Sequence, residues 1–172
     1  MPDPGPLVRV AAVGDLHCSK TSHGQIRPLF ENCDRFADVL VLCGPQERER
    51  ARQIVQEAGS SRVVSLADQP VSLAATKACL ARSRLLVSTD SGPRHVAAAL
   101  DRPVVTLLGP TLPIWIENPT VHGPLVRTQL DCLGCAERMC PLGHHRCMED
   151  LRPERVLEEV ASLLDAARTK AA

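Results

Sequence analysis

Apolar residues recur along this chain in short runs, and the stretches between them alternate turn residues with helical spacing. Leu7 to Val13 is the first run and Val39 to Cys43 the second. Val63-Val64, Leu85-Leu86-Val87 and Val104 to Leu108 follow. Runs of this length bounded by Gly, Pro, Asp and Ser predict buried strands. Between them, Glu47 to Ala58 puts Ala51, Ile54, Val55 and Ala58 on one helical face, and Gly59 is placed to stop the helix. Val71 to Ala81 predicts another helix, carrying Leu73, Ala74 and Leu80, with Lys77 on its solvated face. A helix from Pro93 to Leu100 follows the fourth run. A last one begins near Pro153 and sets Val156, Leu157, Val160, Leu163 and Leu164 on a face that should pack back on the sheet.

Less regular parts complete the pattern. Met1 to Pro6 is expected to be a loose leader, and Pro28 to Phe36 a short helix. Leu112 to Thr128 holds four Pro or Gly residues and little periodicity, which predicts a long functional loop with a short strand at Leu125-Val126. No internal repeat is visible. Alternating strands and helices predict an α/β fold, an open parallel Rossmann-like sheet in one compact domain.

The densest chemistry lies between Leu85 and Thr111. A strand, the small polar loop Ser88-Thr89-Asp90-Ser91-Gly92, a helix opened by Pro93, a second strand and Gly109-Pro110-Thr111 form a βαβ unit. Ligands of parallel sheets sit outside the carboxyl ends of the strands. A helix N-terminus there offers N–H groups and a positive dipole end to an anion. Gly92 lets the backbone approach closely, Thr89 and Ser91 offer hydroxyls, and His95 lies one turn in. The loop therefore reads as a diphosphate cradle. Its alternative reading is structural, with Asp90 and Ser91 only capping the helix.

Composition narrows the class. Of 172 residues, 44% are hydrophobic and 23% charged, a balance that supports a folded core. Twenty basic residues offset twenty acidic ones, so no global field attracts nucleic acid. Phe30, Phe36 and Trp115 are too few aromatics for a base-stacking platform. No stretch approaches the length of a membrane span and no apolar signal core opens the chain, so a cytoplasmic location is expected.

In that compartment the eight cysteines are expected as thiols or metal ligands rather than disulfides. Cys132-x2-Cys135-x4-Cys140-x6-Cys147 places four within sixteen residues, with His144 and His145 between the last two. Four thiolates, or three with a histidine, would satisfy a structural zinc ion. Reduced packing thiols are the equal alternative, and an iron–sulfur cluster a distant third. Cys18, Cys33, Cys43 and Cys79 are expected in the core.

Thr89-Asp90-Ser91-Gly92-Pro93-Arg94-His95, with Pro103-Val104-Val105 and Gly109-Pro110-Thr111, resembles the donor-binding core of family 9 glycosyltransferases, the lipopolysaccharide heptosyltransferases. Cys140 to Met148 (Cys-Pro-Leu-Gly-His-His-Arg-Cys-Met) resembles the C-terminal segment of the same family, and the likeness covers residues 39–168. The resemblance implies the C-terminal domain of a GT-B enzyme that moves heptose from an ADP-sugar to a lipid-linked saccharide acceptor, with no cofactor required for the transfer. It assigns Thr89, Asp90, Ser91, Gly92 and His95 to the donor diphosphate, with Asp90 holding the helix start or a sugar hydroxyl. Gly109, Pro110 and Thr111 form the adjoining wall. Lys20 is the one candidate for the family's phosphate lysine. The base and acceptor site belong to the family's first domain, so this chain reads as the donor half, transferring sugar or only binding it.

Residues 7–44 resemble something else. Val8 to His17 is similar to the opening of calcineurin-like metallophosphoesterases, where Asp-x-His at a strand end supplies metal ligands; here those are Asp15 and His17. Such a two-metal site also takes an Asp after the second strand's glycine, and Gly44 is followed by Pro45. The pair reads as vestigial, and the chain as a junction of two families near Val39 to Gly44.

Overall fold

The computed structural model describes residues 10–14, 38–69 and 72–170. Six parallel strands form its sheet: β1 (Val10–Gly14), β2 (Asp38–Val41), β3 (Val63–Ser65), β4 (Ser83–Thr89), β5 (Val104–Leu108) and β6 (Leu125–Arg127). Their spatial order is β3-β2-β1-β4-β5-β6, and every neighbouring pair is parallel. Strand order reverses between β1 and β4. In open α/β sheets that reversal opens a crevice at the carboxyl edge.

β5 is buried on both sides, and β4 nearly throughout, because helices cover both faces. Val39, Val41, Leu85, Val87, Val105 and Leu107 face one core, which α1 (Arg48–Ala58) and α5 (Pro153–Lys170) close with Ala51, Ile54, Ala58, Val156, Val160 and Leu164. Leu40, Leu42, Leu86 and Val104 face the other, where α2 (Leu73–Arg82) contributes Leu80 and α3 (Gly92–Ala99) contributes Ala97. The face expected of the last helix is the one it buries, with Leu157 and Leu163 packed at its margins.

Local signals explain most boundaries. Gly59 ends α1 in the left-handed conformation (φ 60°), which costs glycine nothing. Ser72 starts α2 by accepting a hydrogen bond from the Ala75 N–H at 3.1 Å. Of the residues expected on α2, Leu80 is the one it buries, and Leu73 is 63% exposed. In 112–128 the expected strand at Leu125-Val126 is present as edge strand β6, Leu125–Arg127, with Val126 buried. The segment before it is more ordered than a long loop, since Pro113–Ile116 winds into a 3-10 helix. The expected leader, the helix at 28–36, Cys18 and Cys33 lie outside the described residues.

Candidate functional site

The carboxyl end of β4 carries the polar loop directly into α3. Gly14 at the end of β1 is in register with Ser88, so the loop stands at the strand-order reversal. Ser88 is fully buried, Thr89 nearly so, and the chain emerges at Asp90. Ser91 is the residue before α3, but its side chain makes no capping bond. Its Oγ instead lies 3.0 Å from Ser88 Oγ. Asp90 does not cap the helix either; its Oδ1 accepts from Arg94 Nη1 at 3.1 Å. The first turn of α3 thus keeps a dipole end with no side-chain cap. Gly92 is exposed, and a Cβ built there meets no atom within 4 Å.

Two side chains of α3 turn back on this loop. Arg94 is buried, and three of its nitrogens have separate partners: Nε donates to Thr106 Oγ1 on β5 (3.2 Å), Nη1 to Asp90, and Nη2 to the Ile116 carbonyl (3.0 Å). A buried guanidinium is tolerated when its donors are matched in this way. His95 is half exposed, with Nε2 3.9 Å from Asp90 Oδ1, beyond hydrogen-bond length. Asn118 Oδ1 accepts from the Thr120 N–H and hydroxyl, which leaves its Nδ2 to face His95 Nδ1 at 3.3 Å. That contact makes Nδ1 an acceptor and puts the ring proton on Nε2, the nitrogen nearest Asp90.

The adjoining wall, Gly109-Pro110-Thr111, follows β5 and is held from behind by the cysteine loop. The Pro110 carbonyl accepts from the Gly134 and Ala136 N–H groups at 3.0 and 3.1 Å. Gly134 sits at φ 93°, and a Cβ there would strike Leu112 Cδ2 at 2.8 Å. Gly109 is buried against α4 (Arg146–Glu149), so it serves packing while Pro110 and Thr111 stay partly exposed.

The four clustered thiols share this loop. The ring of His144 stands between two of them, with Nε2 4.0 Å from Cys132 Sγ and Nδ1 4.0 Å from Cys140 Sγ. Backbone N–H groups, His145 foremost and those of Leu142, His144 and Gly143 with it, hold the Cys140 thiol below its ordinary pKa, against the opposite pull of burial. Burial pushes the Cys147 thiol up, and thiolate charge on Cys135, Cys140 and Cys132 acts the same way. Among the described residues no group of three or more His, Cys, Asp or Glu is placed to hold a metal ion. Cys132, Cys135, Cys140 and Cys147, expected as zinc ligands or equally as reduced packing thiols, are free thiols, Cys135 exposed and the other three half-buried.

The structure brings Thr89, Asp90, Ser91, Gly92, His95, Gly109, Pro110 and Thr111 to one edge of the sheet. Asp15, His17 and Lys20 lie outside the described residues. Cys43 and Cys79 are half-buried beside the two cores, and burial raises both thiols. Sequence reasoning passed over Arg94, Thr106 and Asn118. The spacing of Asp90 and Arg94, four apart at a helix start, was the available signal.

An all-parallel sheet in this order, with its strand-order reversal between β1 and β4, defines a Rossmann-like domain. Residues 27–146 match the family model for glycosyltransferase family 9 (heptosyltransferase). The chain belongs to that family. The match begins inside the segment 7–44 that resembles a metallophosphoesterase, upstream of the expected junction at Val39 to Gly44.

Lipooligosaccharide heptosyltransferase 2 of Campylobacter jejuni is 32% identical over 141 residues, which are 77% of this chain and 43% of that protein. The fold matches that of E. coli ADP-heptose lps heptosyltransferase II with a TM-score of 0.71 at 23% identity, over 94% of this chain and 48% of that one. E. coli heptosyltransferase WaaC with ADP-2-deoxy-2-fluoro heptose matches with a TM-score of 0.63 at 25% identity, over 90% and 44%. The chain thus spans less than half the length of these relatives, one Rossmann-like half of a GT-B fold. No helix among the described residues is long and apolar enough to cross a membrane.

Proposed function

We propose that this chain is the donor-binding half of a heptosyltransferase and that the edge formed by β4 and β5 holds the diphosphate of an ADP-sugar. The observation that carries the reading is the start of α3, which faces open space above Gly92 with no side-chain cap at the strand-order reversal. The Gly92 N–H and the positive end of the helix dipole, with the Ser91 hydroxyl, stabilise negative charge there. In transfer, the bond from the anomeric carbon to the diphosphate breaks as an acceptor hydroxyl attacks that carbon. ADP leaves with the bonding electrons, and a base takes the hydroxyl proton. The residues of this edge act on the leaving group. A base and a lipid-linked saccharide acceptor are needed from elsewhere, since proximity and proton removal are separate contributions to rate.

Binding without turnover is the second reading, since the residues assigned at this edge act on the leaving group and none of them on the acceptor hydroxyl. Calorimetric titration of the full chain with ADP and with ADP-heptose tests the proposal, with Gly92→Trp filling the open space above the helix start. Saturable binding lost in the variant supports the cradle. A folded parent that binds neither ligand overturns it. Release of ADP from ADP-heptose in the presence of a lipid-linked acceptor then separates transfer from binding alone.

A further inference from the structure

Asp90 raises an electrostatic difficulty for the site just proposed, on which this inference rests. A carboxylate two residues before the start of α3 repels the diphosphate that the helix attracts. Its neighbour Arg94 meets that difficulty in a particular way. The guanidinium is not a mobile surface cation: its side chain is 5% exposed, against 32% for Asp90. Its plane is fixed by Thr106 Oγ1 on β5 and by the Ile116 carbonyl at the end of the 3-10 helix, at 3.2 and 3.0 Å. The remaining nitrogen reaches Asp90 Oδ1 at 3.1 Å. One planar fork therefore ties together the loop after β4, the strand β5 and the segment that follows β5. An arginine suits this task because its donors point in three fixed directions, while a lysine offers a single compact ammonium.

We infer that Arg94 is a positioning residue that cancels the charge of Asp90 and fixes its carboxylate, so that a diphosphate can occupy the start of α3 beside it. Arg94 touches no ligand in this arrangement; it acts through Asp90. Two consequences follow from the geometry. Losing the guanidinium leaves a bare carboxylate at the anion site, so diphosphate binding weakens. Removing the carboxylate as well lifts the repulsion, so binding returns.

The test measures ADP affinity of the full chain by calorimetry in the parent, Arg94→Met and Arg94→Met with Asp90→Asn, with thermal melts confirming that each is folded. Arg94→Met is expected to bind ADP about tenfold more weakly or worse, with the added Asp90→Asn restoring affinity to within about threefold of the parent. A purely structural role predicts no such rescue. Equal ADP affinity in the parent and Arg94→Met, or equally weak binding in folded single and double variants, overturns the inference while ADP binding by the parent still stands. Where Arg94→Met does not fold, Asp90→Asn decides, because it removes the carboxylate and keeps the guanidinium. ADP affinity equal to or tighter than that of the parent supports charge cancellation, and about a tenfold loss in the folded variant overturns it. A parent that binds no ADP overturns the donor site and this inference together.

Discussion

A Cβ built on Gly109 would lie 2.8 Å from Met148 Sδ, so the end of β5 and the short helix of the cysteine loop meet with no room for a side chain between them. The contact joins the wall of the proposed donor site to the cysteine segment, two stretches that are far apart in sequence. With the Gly134 and Ala136 N–H groups on the Pro110 carbonyl, it makes the cysteine loop the support behind that wall.

Gly109→Ala is therefore expected to destabilise the fold by about 1–3 kcal/mol, toward the lower end because Met148 is flexible. Urea denaturation of Gly109→Ala, Met148→Ala and the double variant checks this. The double variant is expected to be more stable than the sum of the single losses predicts, because Met148→Ala removes the atom that the new methyl strikes.

Gly123 is a stricter case. It adopts φ 138°, and a Cβ there would fall 2.2 Å from the Val104 carbonyl oxygen, a backbone atom that cannot swing aside. Gly123→Ala is expected to cost more than about 2 kcal/mol, exceeding the loss at Gly109. The same urea series measures it. A loss smaller than that of Gly109→Ala would show that the entry to β6 has room to move.

The thiols should separate by pH. Thiolate is the reacting form, so a lowered pKa brings alkylation in at lower pH and a raised one delays it. Cys140 is expected to alkylate at lower pH than Cys43, Cys79 and Cys147, read by mass spectrometry of peptides after brief treatment across a pH series. In protein purified without added metal, reduced packing thiols at Cys132, Cys135, Cys140 and Cys147 react without a chelator, with zinc below one equivalent per chain. One equivalent of zinc, with all four thiols protected together, would mean that the loop closes around the ion.

Much of the fold was legible in the sequence because strands buried on both faces read as continuous apolar runs. Leu85-Leu86-Val87 and Val104 to Leu108 are of this kind, and α1 and α5 show their buried faces in their spacing. The polar loop at the end of β4 was legible as well, since Pro93 and Gly92 mark a helix start. What stayed hidden has physical reasons. The cysteine loop attaches through the Pro110 carbonyl, and backbone bonds leave no mark on residue type. Helix α4 has four residues, too few for a period. Arg94 stood in plain view, but its partners Thr106 and Ile116 lie 12 and 22 residues away and only the folded chain brings them together.

The central claim is that a nucleotide diphosphate binds at the carboxyl edge of β4 and β5, and backbone amide shifts in an NMR titration with ADP locate binding residue by residue. The account predicts saturable shifts concentrated at Ser91 to His95 and at Gly109 and Thr111, with the sheet's opposite edge unmoved. Shifts confined to other surfaces, or none in a folded chain at saturating ADP, would contradict it.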